Sequence, residues 1–128
     1  MKYTLGKIEK LKSRTAIQDL FSEGKRINAY PLQLIYLPYS FDDNALIKAG
    51  FSVPKRNIKL AVHRNRIKRV LREVYRLNKQ LFIENIKTPS VFMFIFMAKE
   101  EINYEDLTLA FKTISAKYLI KIKEDEQN

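Results

Sequence analysis

Between residues 55 and 76 the chain places Lys55, Arg56, Lys59, Arg64, Arg66, Lys68, Arg69, Arg72 and Arg76, with Glu73 as the only acid. That segment carries +8 of the formal +10, leaving +2 for the other 106 residues. Guanidinium forks grip phosphate oxygens in pairs and stack on bases, so a cluster of them on one short segment points to an anionic polymer, nucleic acid first. Arg64, Lys68, Arg72 and Arg76 also recur four apart, where like charges on a helix cost roughly 0.2–0.5 kcal/mol per pair. A merely solvated face would mix signs at that spacing.

The element carrying these groups is a helix from Ala61 to about Leu81, because Ile67, Val70, Leu71, Val74, Leu77 and Leu81 recur every three or four positions. At roughly 100° per residue, Arg64, Lys68, Arg72, Asn65, Arg76 and Arg69 span an arc of about 140°, and the aliphatic residues from Ile67 to Leu77 fall in a separate arc. Tyr75 reads into the basic arc, where its ring would stack on a base or pack across arginine stems. A basic amphipathic helix also suits an anionic lipid surface. That use needs the apolar arc free, and a sheet beneath it claims that arc, so no membrane partner is expected.

Other chemistries have little support. A protein nuclease needs a general base or clustered carboxylates for metal ions. The only histidine, His63, reads into the apolar arc, and Asp42-Asp43, Glu100-Glu101 and Glu105-Asp106 read as loop or capping acids. Neither a catalytic residue nor a metal site is expected on the protein itself. Cysteine is absent, which excludes disulfides and thiolate metal sites. The first residues are charged and lack a signal-peptide apolar run, and the longest uncharged apolar run, Val91 to Ala98, is far short of the ~20 residues of a spanning helix. A cytoplasmic protein is expected.

With 128 residues, 46% of them hydrophobic and 12% aromatic, the chain reads as one folded domain, residues 1–128. Thr15 to Gln18 has capping-box spacing, and Leu11, Ala16, Ile17, Leu20 and Phe21 form a stripe ending at Gly24, hence a first helix. Leu32 to Tyr39 reads as a strand, and so does Ala45 to Val53 after the turn-like Phe41-Asp42-Asp43-Asn44, which suggests an antiparallel pair. Lys25 to Ala29 adds a further short strand. Beyond Pro89, the run VFMFIFMA is apolar on both faces and is expected in the centre of the sheet. Asn103 is a suitable cap for a last helix, with the tail at 124–128 frayed. The order gives an α/β or α+β sandwich, and a strand–helix–strand crossover between parallel neighbours would be right-handed on base rates.

Residues 61–79, AVHRNRIKRVLREVYRLNK, resemble the signature helix of the protein subunit of bacterial ribonuclease P, with its Arg64-Asn65-Arg66, Lys68-Arg69 and Arg72-Glu73 groups. The preceding GFSVPKR, residues 50–56, resembles the strand ending of the same family. The resemblance implies a single-domain α+β fold of order αβββαβα with a left-handed crossover at the long helix, against the base rate. It implies partners too, the ribonuclease P RNA and the 5′ leader of precursor tRNA, with the RNA subunit performing the hydrolysis with Mg2+ and the protein binding no cofactor alone. DNA is not implied. By position, Lys55, Arg56, Arg64, Asn65, Arg66, Lys68, Arg69 and Arg72 would face RNA, and Phe21 and Tyr36 would line a leader cleft between the first helix and the sheet. Departures are Ile17, where the family often has an aromatic, and Pro54 with Asn57-Ile58, which replace a serine and a glycine-containing link. The alternative is a ribosomal or other structured-RNA-binding protein.

Overall fold

Every residue from Ser90 to Phe96 is buried, and the other elements are arranged around that strand. The computed structural model describes residues 10–127, in the order α1 (Arg14–Glu23), β1 (Lys25–Ala29), β2 (Leu32–Pro38), β3 (Ile47–Ser52), α2 (Ala61–Asn78), α3 (Gln80–Ile83), β4 (Ser90–Phe96) and α4 (Tyr104–Gln127). This is the expected α+β order, with α3 a single turn that follows α2 after Lys79.

The four strands lie in the order β1-β2-β4-β3. β1 and β2 form an antiparallel hairpin, β2 is antiparallel to β4, and β4 is parallel to β3. The antiparallel pair expected between β2 and β3 therefore does not form. A strand that is apolar on both faces belongs in the sheet interior, where both edges are paired and both faces covered. β4 takes that place, and the chain leaves β3 through α2 in order to insert it. The turn at residues 41–44 made neighbours in sequence look like neighbours in space.

Alternation along the strands sorts the core onto two faces. Leu32, Leu34 and Tyr36 of β2 and Phe92, Phe94 and Phe96 of β4 meet α2 and α4, through Leu71, Val74, Tyr75, Phe111 and Tyr118. Ile35 of β2 and Val91, Met93 and Ile95 of β4 meet Ala16 and Leu20 of α1. The larger layer is filled by rings: Phe94 lies 4.7 Å from Phe111 and 5.4 Å from Tyr75 between centroids.

α1 begins at Arg14, ahead of the Thr15 cap expected from sequence. Ser13 is the cap: its Oγ accepts from the Ala16 N–H at 3.2 Å, and its carbonyl accepts from Ile17 at 3.0 Å. Starting there gives partners to two amide groups that a later start would leave orphaned. Ser13→Ala is expected to cost about 1 kcal/mol, seen as a lower urea midpoint with an unchanged m value. At the other end of α1, Gly24 is needed for close approach, since a Cβ there would stand 2.6 Å from Ile35 Cγ2.

The last helix is capped as expected, Asn103 Oδ1 accepting from the Asp106 N–H at 2.8 Å. The helix continues past residue 124, where the frayed tail is expected to begin. α4 runs to Gln127, and Lys25 Nζ donates to Asp125 at 2.6 Å, fastening the last turns to β1. Among the described residues no helix is long and apolar enough to cross a membrane.

Candidate nucleic-acid interface

α2 is held to the rest of the molecule by Ile67, Leu71, Val74 and Tyr75, all buried. That arc is rotated relative to the one the apolar pattern suggests. Periodicity puts Tyr75 among the basic residues, yet it is 1% exposed and packs on Phe51, Phe94 and Phe111. Leu77, read as core, is 42% exposed, and Val70 is only partly buried. The reason is tertiary. α2 packs against both β3 and α4, so its buried arc is set by the trough between them, and Tyr75 has the bulk to fill it.

The rotation also carries Arg64 off the free face. Its Nη1 donates to the Ile58 carbonyl at 3.0 Å and to the Lys59 carbonyl at 2.6 Å. Arg64 thus clips the loop before α2 onto the first helical turn. The same loop is fixed at its start by Asn57 and Ile58 amides donating to the Pro54 carbonyl at 3.0 and 3.1 Å. Asn57 Nδ2 reaches the Phe96 carbonyl at the end of β4, at 3.1 Å. Pro54, Asn57 and Arg64 together present Lys55 and Arg56, both exposed, beside the N-terminal end of α2.

The remaining charges divide into engaged and available ones. Arg66 donates to Glu101 at 3.0 Å. Arg76 forms a two-pronged pair with Glu73, its Nε donating to Oε2 at 3.0 Å, and this holds the Glu73 carboxyl below its ordinary range. Lys55, Arg56, Lys59, Lys68, Arg69 and Arg72 have no acidic partner among the described residues. Asn65 is exposed on the same helix, between Lys68 and Arg69 in angle. The surface is therefore built from six cations without an acidic partner and one amide on a rigid helix and its loop. Such a surface neutralises closely spaced phosphates, and the amide can donate to and accept from a sugar hydroxyl or a base edge.

Phe21 and Tyr36 are not brought together. Phe21 is 44% exposed on α1. Tyr36 is buried on the opposite side of the sheet, its ring 5.0 Å from Tyr118 of α4. Strand parity decides this: Tyr36 shares its face with Leu32 and Leu34, while Ile35 and Leu37 point to α1. Tyr36 thus cannot line a cleft beneath α1. The aromatics packed against the α1 core are Tyr39 and Phe41, 5.9 Å apart. Both are only partly buried, and the alternation of β2 carried past Pro38 is the signal that finds Tyr39.

Of the acids singled out in sequence, Asp43 and Asp106 are engaged locally and Glu101 pairs with Arg66. Asp43 accepts from Lys48 Nζ at 2.8 Å and from the Ala45 N–H at 3.1 Å, which holds its carboxyl below the ordinary range. Among the described residues no three His, Asp or Glu side chains stand together as a metal site.

A family model described as Ribonuclease P matches residues 5–119. The chain belongs to the ribonuclease P protein family. It is 38% identical over 90 residues to the ribonuclease P protein component of Porphyromonas gingivalis, a match covering 70% of this chain and 66% of that relative, just under two thirds of its length. To the ribonuclease P protein component of Petrotoga mobilis it is 31% identical over 100 residues, covering 78% and 76%. The solved ribonuclease P protein of Thermotoga maritima superposes with a TM-score of 0.68 at 19% identity, covering 84% of this chain and 96% of that one. The fold is thus that of the family.

Within this ribonuclease P family fold, Arg64 belongs to the signature Arg-Asn-Arg group but acts here on the protein itself. Arg64→Ala is expected to lower stability by about 1–2 kcal/mol, the worth of hydrogen bonds from a charged donor discounted for partial exposure. Thermal melts of the free protein check this; Arg69→Ala, on the open face, is expected to stay within about 0.5 kcal/mol of the parent.

Proposed function

We propose that this chain is the protein subunit of a bacterial ribonuclease P, acting in the cytoplasm on precursor tRNA. The observation that carries the reading is the row of unpaired cations on α2 and its loop, held outward by an apolar arc buried against β3 and α4. In this reading Lys55, Arg56, Asn65, Lys68, Arg69 and Arg72 contact the catalytic RNA, Arg66 joins them by exchanging Glu101 for phosphate, and Arg64 sets the loop. The RNA subunit holds Mg2+ and carries out hydrolysis of the leader phosphodiester. The protein contributes binding and position. On the α1 side, Phe21, Tyr39 and Phe41 are the aromatics available to unpaired leader bases, each stacked base contributing about 1–3 kcal/mol.

The test is reconstitution with the RNA subunit from the same organism at low Mg2+. Restored cleavage at the mature 5′ end of a precursor tRNA, with no cleavage by protein alone, is the expected result. Absence of any stimulation, with tight binding to a different cellular RNA in crosslinking, would overturn it in favour of another structured-RNA protein.

A further inference from the structure

β1 is an edge strand, paired only with β2, and cations bracket it from both faces of the sheet. A groove of about 320 Å³ runs between it and α4, lined by Arg26, Ile27, Asn28, Lys117, Ile120 and Lys121. Arg26 lies opposite Ile35, so it and Asn28 project on the α1 side of the sheet. Lys117 and Lys121 come from α4 on the other side, and Lys117 Nζ donates to the Asn28 carbonyl at 2.6 Å. None of the α2 cations lines this groove. β1 stands three strand spacings, about 14 Å, from β3, the strand on which α2 packs.

Three cations and no acid line the groove. The bonds they make leave their charge in place. Arg26 Nη1 donates to the Gln33 amide oxygen at 2.9 Å, Lys117 donates to a backbone carbonyl, and Lys121 has no partner among the described residues. The acids nearest in sequence, Glu23, Glu124 and Asp125, do not line the groove, and Asp125 is already matched by Lys25 at 2.6 Å. The Asn28 carboxamide also has hydrogens to give: its Oδ1 accepts from Gln33 Nε2 at 2.7 Å, while its Nδ2 has no acceptor among the described residues. Like charges gathered without a counter-charge repel one another, and a bound anion relieves that repulsion.

We propose that this groove binds the sugar–phosphate backbone of a single RNA strand, with Arg26, Lys117 and Lys121 on its phosphates and Asn28 Nδ2 donating to a ribose hydroxyl or a base edge. A concave basic groove that follows a backbone is how unpaired strands are held. A guanidinium beside two ammonium groups suits phosphate oxygens, and the carboxamide suits the neutral acceptors between them. Ile120, 58% exposed between the two lysines, offers apolar surface to the sugar. The choice of RNA as the polyanion rests on the function proposed above; an acidic protein segment is the competing occupant. Set at the sheet edge away from α2, the groove gives the protein a second grip on RNA.

The test is methyl NMR on the full chain labelled at isoleucine, with hexauridylate as the probe. It needs neither the ribonuclease P RNA nor cleavage, so its outcome is separate from that of the reconstitution. Hexauridylate is expected to give saturable shifts at Ile120, with hexaglutamate, an acidic probe of similar charge, about fivefold weaker, the factor one net hydrogen bond from Asn28 supplies. Arg26→Ala with Lys121→Ala is expected to weaken the affinity read at Ile120 about tenfold, the worth of two exposed charge contacts. The slope of log affinity against log salt should become shallower by about 1.4, from about 0.7 per lost contact to a single strand. Arg69→Ala with Arg72→Ala should leave the Ile120 reading unchanged. Both substituted edge side chains are exposed, and Lys121→Ala alone removes no bond among the described residues, so it carries the test if the double variant folds poorly. Three results would overturn the proposal: no saturable shift at Ile120, an affinity there that follows Arg69 and Arg72 instead of Arg26 and Lys121, or hexaglutamate binding as tightly as hexauridylate. The last would give the groove to an acidic protein segment.

Discussion

Replacing Arg69 and Arg72 together with alanine is expected to weaken binding of the ribonuclease P RNA about thirtyfold near physiological salt, from roughly 1 kcal/mol per exposed guanidinium–phosphate contact. The slope of log affinity against log salt should become shallower by about 1.4–1.8, since each lost phosphate contact removes about 0.7–0.9. These two side chains are exposed and have no acidic partner among the described residues. Alanine is also the strongest helix former, so the fold is spared and the loss reports the interface alone. Titrations between low and moderate salt, with thermal melts alongside, separate the two effects. An affinity loss with an unchanged slope would move the RNA contact away from this face of α2.

Tyr75→Ala should do the opposite. Its ring is buried against Phe51, Phe82, Phe94 and Phe111. Truncation of such a ring costs about 3–5 kcal/mol, set against a total stability of roughly 5–15 kcal/mol for a domain of this kind. The expected result is a large drop in the unfolding midpoint, with the salt slope of whatever fraction remains folded unchanged. Tyr75→Phe keeps the ring and isolates the hydroxyl, and it should recover most of the loss. A Tyr75→Ala variant that melts normally but binds RNA weakly would instead return the ring to the interface as a base-stacking group.

These two expectations separate residues that the helical wheel placed side by side. The wheel puts Arg64, Lys68, Arg72, Asn65, Arg76, Arg69 and Tyr75 in one basic arc, and Ile67, Val70, Leu71, Val74 and Leu77 in a separate apolar arc centred on Val74. Hydrophobicity was enough to show that α2 has an inside and an outside. It could not show how wide the inside is or where it is centred, because that depends on the trough between β3 and α4 into which the helix drops. In the fold Tyr75 goes inside, Leu77 comes out, and Arg64 turns back to bind the loop carbonyls of Ile58 and Lys59.

The strands teach a similar lesson. Lys25 to Ala29, the apolar run after Pro89 and the central position of that run were legible, since β-rich composition and two-faced hydrophobicity are local properties. Pairing was not. β2 and β3 are joined by the loop 39–46, yet β4 from much later in the chain lies between them. A strand of seven buried residues gains more from two edges and two covered faces than the chain gains from keeping a hairpin. Parity followed from the same placement: once Phe92 and Phe94 face α2 and α4, Tyr36 opposite Phe92 must do so too, and it leaves the α1 face.

By itself, the sequence determined the element types, the two-sided character of β4, the concentration of +8 within residues 55–76, and the signature run that marks the family, because each is written in local composition and spacing. Tertiary structure alone decided which of those charges are free. Glu101 reaches Arg66 from the loop before α4, Glu73 closes on Arg76, and loop carbonyls claim Arg64, leaving Lys55, Arg56, Lys59, Lys68, Arg69 and Arg72 open. A charge becomes a binding group only when nothing in its own fold satisfies it: Arg76 and Arg64 find partners on their own helix and the loop before it, whereas Glu101 is brought to Arg66 by packing from a distant part of the chain.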